Sequence, residues 1–326
     1  MPVRPETIER LADLPNVAIS PGALLSEHSR FGIGGPAEVY FETPDPHSLI
    51  SALQLIRAAA ETHTVIGEGS NLIVSDAGFP GIVVRFTGRA LQLDGGIVHA
   101  EAGLTLQSLV DACIEAGLRG LETMTGIPGC TGAAVYGNAG AYGHSIDERV
   151  TSVRFYDGAA IRVFRKPECE FRYRESLFKR HKDWIILSVD LSMDPGDAAA
   201  LRKTADEIFQ IRLTKYPLDM RCAGSIFKNL LLAELPEAVQ RQVPERVVRE
   251  GKVPSAYFLE QAGAKGMQNG GICVADYHAN LIYNAGGGTA RELCEIITCL
   301  KNRVRERFGL ELEEEVQYVG FAVPGS

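Results

Sequence analysis

Residues Thr125 to Gly143 read TGIPGCTGAAVYGNAGAYG, and the organisation of the chain can be argued outward from them. Glycine occupies six of these nineteen positions in two runs of period three, at Gly126, Gly129 and Gly132 and at Gly137, Gly140 and Gly143. Glycine loses the most entropy on ordering, so this density is typical of backbone that takes positive φ or lies directly against a flat polar group. The segment therefore predicts an irregular loop rather than a helix or a strand.

The backbone amides of such a loop can bind phosphate, or the carbonyl and ring nitrogen atoms of a cofactor. A flexible surface loop is the alternative, because loops are rich in glycine by default. The segment carries almost no charge and no run of serine, which favours burial against a partner molecule. No helix is predicted directly after it, so the pattern differs from the dinucleotide-binding fold in which G-x-G-x-x-G opens a helix.

A second glycine turn, Gly67 to Asn71, lies between two β-branched apolar runs. Its amides make a second candidate phosphate site. A single G-x-G is a weak signal, however, and an ordinary hairpin turn explains the pattern about as well.

Local patterns predict several regular elements around the two turns. Ala37 to Thr43 has the composition of a strand, and Thr43 or Asp45 can cap the helix that follows it. A hairpin is predicted about Asp157, and a capping box that starts at Thr289 opens a helix ending near Phe308.

Composition limits the class of protein. The chain has 326 residues, 45% of them hydrophobic, and a mean hydropathy of zero, which predicts a soluble globular protein of two or three domains. Its net charge of −8 argues against binding to nucleic acid, whereas a small anionic ligand needs only a local basic pocket. The longest apolar runs have the length of a strand, and the N-terminus lacks a secretory h-region, so we expect a cytoplasmic protein without a membrane span.

Cysteine and histidine usage points the same way. Seven cysteines, an odd number, are scattered without a C-x-x-C pair, which predicts reduced thiols rather than disulfides or a zinc site. Seven histidines show no metal-ligand spacing, so no metal is expected.

Three further segments concentrate ionic or reactive groups: FRYRESLFKR, RCAGSIFKN and LELEEEVQYVG. Each also has a plain structural interpretation, as a solvated strand end, a turn or helix cap, and an exposed strand edge respectively. No G-x-S-x-G elbow and no Ser/His/Asp order supports a hydrolase. The residues alone indicate a nucleotide- or cofactor-binding enzyme.

Six stretches, in the same order along nearly the whole chain, carry a resemblance to a known family: FGIGGPAEVYF, GEGSNLIVSDAGFPGIVVR, TGIPGCTGAAVYGNAGAYG, YRESLFK, AGSIFKN and EEVQYVG. The chain resembles the UDP-N-acetylenolpyruvoylglucosamine reductases (MurB) of bacterial cell-wall synthesis. The resemblance implies an α+β fold, with a two-lobed FAD-binding domain of the p-cresol methylhydroxylase type and a C-terminal α+β substrate-binding domain. The implied boundaries are 1–90 for the first lobe, to which 317–326 returns, 91–212 for the second lobe and 213–316 for the substrate domain.

The resemblance also gives the two glycine turns their roles, in binding the diphosphate and the isoalloxazine ring of FAD. The implied cofactor-binding residues are Ile66, Gly67, Glu68, Gly69, Ser70, Asn71, Leu72, Thr125, Gly126, Ile127, Pro128, Gly129, Thr131, Gly132, Ala133, Asn138, Gly140 and Ala141. The hydride donor that the family implies is NADPH.

The implied reaction adds that hydride, by way of FAD, to the vinyl carbon of an enolpyruvyl ether. Negative charge then develops on the neighbouring carbon, in conjugation with the substrate carboxylate, so a cation and an acid should face it. By the family motifs Arg174 is the cation, Glu315 its partner and Ser225 the proton donor, although composition alone makes Glu313 and Glu314 equal candidates.

The substrate diphosphate and sugar are implied to bind Arg212, Lys215 and Asn229. Some members of the family carry a long insert with a tyrosine that covers the substrate, and this chain has no room for it between Met193 and Gly196. It therefore resembles the shorter subtype. Another flavin oxidase or dehydrogenase on the same fold is the competing interpretation, and a flavin-binding protein without turnover is a third.

Overall fold

The structure, a computed structural model, describes residues 2–321. In that range the chain forms nine α-helices: α1 Pro5–Ala12, α2 Pro46–Ala58, α3 Leu106–Glu115, α4 Thr131–Tyr136, α5 Leu177–Arg180, α6 Ala198–Lys215, α7 Glu237–Gln240, α8 Ser255–Gln261 and α9 Ala290–Phe308. None of the helices within residues 2–321 combines the length and the apolar character that crossing a membrane requires.

Twenty strands, many of them short, accompany these helices in the described range: β1 Ala18–Pro21, β2 Ala37–Thr43, β3 His63–Ile66, β4 Leu72–Val74, β5 Phe79–Phe86, β6 Leu91–Asp94, β7 Ile97–Glu101, β8 Leu118–Arg119, β9 Gly140–Ala141, β10 His144–Ser145, β11 Val150–Tyr156, β12 Ile161–Arg165, β13 Ile185–Ser192, β14 Asp194–Pro195, β15 Leu230–Leu231, β16 Lys252–Val253, β17 Gln268–Asn269, β18 Ile272–Val274, β19 Ile282–Asn284 and β20 Gln317–Val319. The mixture of helix and strand is the α+β composition that the sequence predicts.

The chain divides into two compact units. The first contains the residues up to Ala23 together with Ala37–Glu68 and Pro80–Pro217. The second contains Leu24–Pro36, Gly69–Phe79 and the residues from Leu218 onward. Two segments from the N-terminal third of the chain thus belong to the unit that is otherwise C-terminal.

This division differs from a simple cut along the sequence at residue 213. The predicted first lobe, 1–90, contributes 24–36 and 69–79 to the second unit, where β20 runs parallel to β4. Residues 322–326, at the end of the predicted returning strand, lie outside the described residues. The separation of the FAD-binding part into lobes at residue 90 remains a prediction.

The first unit contains two larger sheets, two two-stranded pairs (β9 with β10 and β8 with β14) and one continuous apolar core. One sheet has the strand order β1–β2–β5–β3, with β3 parallel to β5, and the other is antiparallel in the order β12–β11–β13–β7–β6. The predicted strand at Ala37 to Thr43 and the hairpin about Asp157 are confirmed. Asp45 caps α2 by accepting from the amides of His47 and Ser48, since a side-chain oxygen at this position satisfies the otherwise unpaired first amides of the helix.

The second unit is built from small sheets and the long helix α9. Its three-stranded sheet has the order β17–β18–β19, and separate pairs form between β15 and β16 and between β4 and β20. The predicted capping box is confirmed, because Thr289 and Glu292 each accept from the other's backbone amide. The helix ends where Gly309 takes a φ of +67°, the left-handed conformation that glycine adopts without penalty.

Two of the sequence predictions about the glycine turns are wrong. The stretch from Thr125 to Gly143 is not wholly irregular, because α4 lies inside it and short strands β9 and β10 close it. Helix α4 forms despite its glycine because Gly132 packs directly on Ala102, and tertiary packing overrides intrinsic propensity. The turn after Gly67 is not a hairpin either, since β3 pairs with β5 and β4 pairs with β20, both in parallel.

None of the seven cysteines, all of which lie within the described residues 2–321, forms a disulfide, and four of them are buried. Burial raises the pKa of the Cys113 and Cys169 thiols to about 12 and that of Cys294 to about 11. A protonated thiol is a poor nucleophile, so Ellman's reagent at pH 8 should react rapidly with no more than the three half-buried cysteines, 273, 294 and 299. The same titration in denaturant should count seven, and four or more fast thiols in the folded protein would contradict this packing.

Candidate active site

Three glycines of the Thr125 to Gly143 loop, Gly126, Gly132 and Gly140, pack closely against other residues of the first unit. A Cβ atom on Gly132 would lie 2.7 Å from the Cβ of Ala102, and one on Gly140 would lie 2.4 Å from the carbonyl oxygen of His144. Gly126, with a φ of +75°, lies against the side chains of Phe209 and Arg212 on α6. The separations at Gly132 and Gly140 exclude a side chain, and at Gly126 the positive φ disfavours one.

Many amides of this loop donate to protein oxygens rather than pointing at open space. Gly126 N donates to Gln107 Oε1 at 2.7 Å, and the first amides of α4, at Thr131 and Gly132, donate to the carbonyls of Leu104 and Ala102. The N-terminus of this six-residue helix is therefore tied to the turn after β7. This arrangement differs from the bare amides that the glycine density suggested.

Thr125 provides an observation that fits a bound molecule. Its side chain is 4% exposed, and its hydroxyl has no hydrogen-bond partner in residues 2–321. An unsatisfied buried hydroxyl costs about 1–3 kcal/mol, so a cofactor oxygen or nitrogen at this point would stabilise the loop. Together with the close-packed glycines that follow it, the hydroxyl makes this loop chemically suited to a polar, flat group such as FAD.

Among these glycines, Gly140→Ala should destabilise the protein, because its Cβ meets the His144 carbonyl in the tight β9–β10 pair. We expect a loss of about 1–3 kcal/mol in the free energy of unfolding, together with a lower FAD content after purification. Gly137→Ala is the matched control, since its Cβ has no neighbour closer than 3.5 Å and its φ is −91°. Thermal melting and the ratio of flavin to protein absorbance measure both effects, and equal melting temperatures for the two variants would contradict the packing argument.

The second predicted cofactor segment, Ile66 to Leu72, is divided between the two units after Glu68. In the first unit the Glu68 carboxylate accepts from Arg85 at 2.8 Å, and Gly67 is held so close to Cys130 that a Cβ would lie 2.9 Å from the sulfur. Burial raises the pKa of the Cys130 thiol. The Glu68 side chain is thus an internal counter-ion, and Arg85, which the sequence interpretation did not single out, is its partner.

In the second unit the remaining part of that segment is anchored through Gly69 and Asn71. Gly69 has a φ of +64° and lies against the backbone of His28, which leaves no room for a side chain. Asn71 Nδ2 donates to the carbonyl of Glu315 at 2.9 Å, and its own carbonyl accepts from Gln317 N. The side chain of this predicted cofactor residue therefore supports the predicted catalytic glutamate.

Arg174 lies in a tight turn of the first unit. The amides and carbonyls of Arg172 and Glu175 bond reciprocally at 3.0 Å, and Arg174 takes a φ of +57°, which is uncommon for a residue other than glycine. Its guanidinium donates to the carbonyl of Gly140 at 2.7 Å and to that of Asn138 at 3.4 Å. Two predicted site features, the arginine and the glycine loop, are therefore in direct contact.

Three side chains hold this turn in place. The buried Asn138 donates from Nδ2 to the carbonyl of Arg172 at 2.9 Å, and Ser176 Oγ donates to that of Tyr136 at 2.6 Å. Lys179 Nζ donates to the carbonyl of Arg174 at 2.9 Å. The Asn138 side chain, predicted to bind cofactor, is thus committed to supporting the turn, and Ser176 and Lys179 are supporting residues that the sequence motif contained without revealing their contacts.

Ser225 and Glu315 both belong to the second unit, where their segments are paired. Ser225 bridges Leu281, and Phe227 bridges Glu314. Glu315 N donates to the carbonyl of Ile226, the residue after Ser225, at 2.7 Å. The structure thus brings two of the three predicted catalytic residues onto neighbouring backbone segments, while Arg174 belongs to the first unit.

The neighbouring glutamates have other partners. Glu313 accepts from the buried Lys228 at 2.5 Å, and Glu314 accepts from Lys301 at 2.7 Å and from Tyr318 Oη at 2.5 Å. Burial, and then the Glu314 carboxylate, raise the pKa of Tyr318, which keeps its hydroxyl protonated as a donor. Of the three glutamates that composition does not distinguish, Glu313 and Glu314 are therefore counter-ions of lysines within the second unit.

The predicted substrate-binding residues fall in both units. Arg212 and Lys215 occupy the last turn of α6, where their charged groups lie 5.3 and 5.0 Å from the centre of the Tyr216 ring. Arg212 also contacts Gly126 of the glycine loop. Asn229, in the second unit, accepts from the amide of Ser255 at 3.4 Å.

Comparison with known proteins gives the class first. A family model described as an FAD-binding domain matches residues 37–162, which include the glycine loop and the Glu68 to Leu72 turn. A second model, described as the C-terminal domain of UDP-N-acetylenolpyruvoylglucosamine reductase, matches residues 216–319. The fold and these matches define an FAD-dependent oxidoreductase.

Relatives then give the family. UDP-N-acetylenolpyruvoylglucosamine reductase of Solibacter usitatus is 60% identical over 311 residues, covering 95% of this chain and 100% of that protein. The same enzyme of Carboxydothermus hydrogenoformans is 34% identical, covering 91% and 92% of the two chains. The crystal structure of UDP-N-acetylenolpyruvylglucosamine reductase (MurB) from Thermus caldophilus matches with a TM-score of 0.72 at 27% identity, covering 93% of this chain and 98% of that one. The chain belongs to the UDP-N-acetylenolpyruvoylglucosamine reductase family.

Proposed function

We propose that the chain reduces UDP-N-acetylglucosamine enolpyruvate to UDP-N-acetylmuramate with NADPH, a step of peptidoglycan precursor synthesis in the cytoplasm. Family membership gives the substrate class, and the observation that carries the residue roles is the hydrogen bond from Glu315 N to the carbonyl after Ser225. It supports a shared task for these two residues in one reaction.

Bound FAD supplies the route by which the hydride of NADPH reaches the vinyl carbon of the substrate. The protein must stabilise the negative charge that this addition leaves on the neighbouring carbon, which is conjugated with the carboxylate. Arg174 has the planar, permanently charged fork for that carboxylate, and Glu315 is its proposed partner there. For this role, substrate binding must bring the Arg174 guanidinium and the substrate carboxylate together.

Ser225 is the proposed proton donor to the carbon that carries the developing charge. A hydroxyl is a very weak acid near neutral pH, yet a carbanion-like carbon is basic enough for a weak, well-positioned acid to protonate it. The hydride and this proton account for the two hydrogens gained by the substrate. Arg212, Lys215 and Asn229 are proposed to hold the diphosphate and sugar, since two cations beside a tyrosine ring give an acidic chain a local positive field.

The proposed cofactor residues are the glycine loop and the Ile66 to Leu72 segment. Backbone atoms and the Thr125 hydroxyl are the groups best suited to FAD in the first of these, because the Asn138 side chain is bonded to Arg172. Glu68 and Asn71 contribute by fixing the shape of the second segment, through Arg85 and Glu315 respectively.

An anaerobic colour experiment tests the reaction. The purified yellow protein should bleach on addition of NADPH and recover its colour only when the enolpyruvyl nucleotide is added. If the nucleotide does not restore the colour but oxygen or a carbonyl compound does, the protein would instead be another flavin oxidase or dehydrogenase. A yellow protein that NADPH does not bleach would indicate flavin binding without turnover, and a colourless protein would contradict all three interpretations.

A further inference from the structure

The side-chain amide of Asn280 is buried, at 2% exposure, and is fully engaged with the segment that follows Ser225. Its Oδ1 accepts from Ile226 N at 3.2 Å and from Phe227 N at 2.9 Å. Its Nδ2 donates to the carbonyl of Phe227 and to Ser255 Oγ, both at 2.8 Å. An amide has two donor hydrogens and an oxygen that accepts twice, so this arrangement satisfies it completely.

Ser255 and Glu315 extend this network. The fully buried Ser255 hydroxyl donates to the carbonyl of Phe227 at 3.2 Å. The carbonyl of Ile226, the residue whose backbone N–H donates to Asn280, accepts from Glu315 N. The side-chain amide of Asn280 therefore fixes the backbone next to Ser225, the proposed proton donor. Because Ile226 also accepts from Glu315 N, the same amide indirectly fixes the backbone of Glu315, the proposed carboxylate.

A weak acid needs accurate placement, because a misplacement of about 1 Å costs about a hundredfold in rate. Ser225 lies in a loop directly after Gly224, whose φ is +79°. It belongs to no helix or long strand that would supply that accuracy. We propose that Asn280, assisted by Ser255, is a positioning residue for the proton-transfer half of the reaction, acting through the backbone of residues 225–228. This inference rests on the proposed function.

A purely structural role for a buried asparagine is the competing explanation, and the chain offers a matched control. Asn284 is also buried, at 4% exposure, and lies four residues further along. Its side chain bonds to the carbonyl of Phe31 and to the amides of Gly286 and Gly288, at 3.0 Å each. Removing it should cost comparable stability without loosening the segment after Ser225.

The experiment uses the FAD-loaded enzyme and separates the two half-reactions by stopped flow. Asn280→Asp keeps the size and Oδ1 but replaces the donating Nδ2 with an acceptor that faces the Phe227 carbonyl. We expect flavin reduction by NADPH at the wild-type rate and reoxidation by the enolpyruvyl nucleotide at least about tenfold slower, with the loss in the rate constant rather than in substrate affinity. Ser255→Ala, which leaves Asn280 in place, should show the same pattern at about threefold, and Asn284→Ala should leave both rates unchanged.

A double variant separates positioning from general damage. In a Ser225→Ala background the Asn280→Asp change should cause little further loss, because two residues that act through one group are not additive. Equal slowing of both half-reactions, full additivity with Ser225→Ala, or the same loss in Asn284→Ala would overturn the inference. If Asn280→Asp does not fold, Ser255→Ala decides by the same criteria. If Ser225→Ala itself reoxidises at the wild-type rate, the proposed proton donor fails instead.

Discussion

Ser225→Ala is expected to bleach with NADPH at the wild-type rate and to recover its colour with the enolpyruvyl nucleotide about 10²–10⁴ times more slowly than the wild type. The range is that of a positioned general acid, and the split between half-reactions follows because only the second one consumes a proton at carbon. Anaerobic stopped flow at the flavin absorption band measures both rates on the same protein. Alanine removes one oxygen from a half-buried position, so the fold should be retained.

Ser225→Thr is the control for this variant. It keeps the hydroxyl at the same backbone position, between Gly224 and the buried Ile226, and should retain a substantial part of the reoxidation rate. Reoxidation of Ser225→Ala at the wild-type rate would show that another group, or solvent, delivers the proton. Slowing of both half-reactions would point to a disturbed cofactor site rather than to a lost donor.

The parts of the fold that the sequence predicts well are those that local physics decides. The α2 cap at Asp45, the α9 capping box from Thr289 and the αL end at Gly309 each depend on residues within one or two turns of the helix terminus. The strand at Ala37 to Thr43 is predicted at both ends because it is buried along most of its length and bounded by a proline on each side, Pro36 and Pro44.

Contacts between distant parts of the chain decide what the sequence does not predict. Asn71 meets Glu315 across 244 residues, and no local pattern indicates that β4 pairs with β20. Helix α4 is another such case, because glycine at 132 is a poor helix former until its contact with Ala102 is known. The second unit therefore contains two segments from early in the chain that a linear division assigns elsewhere.

In the candidate site, too, the sequence indicates some residues, and only the contacts in the structure identify the others. Motif resemblance indicates Ser225, Arg174 and Glu315, whereas spacing alone does not separate Glu315 from Glu313 and Glu314. The ion pairs of Glu313 with Lys228 and of Glu314 with Lys301 become visible only in the structure. Supporting residues such as Asn280 give no signal of their own in one sequence, since a buried asparagine and an exposed one are written with the same letter.

Arg174→Lys is expected to lower kcat/KM for the enolpyruvyl nucleotide by about 10²–10³-fold while leaving FAD content and bleaching by NADPH unchanged. The guanidinium reaches two carbonyl oxygens of the glycine loop, at Asn138 and Gly140, with two different nitrogens. A single ammonium group cannot span both acceptors and also meet a carboxylate in a planar, bidentate manner. The positive charge is retained, so the loss measures geometry rather than charge.

Arg172→Lys is the matched control for that prediction. Arg172 lies in the same turn two residues earlier, is exposed, and contributes its backbone amide and carbonyl to the turn, which a lysine reproduces. Its kcat/KM should stay within about twofold of wild type, since exposed substitutions away from a site have small effects. Equal activity of Arg172→Lys and Arg174→Lys would remove Arg174 from the reaction. A loss confined to Arg174→Lys, appearing in reoxidation alone, would tie the guanidinium to the substrate rather than to the stability of the loop it contacts.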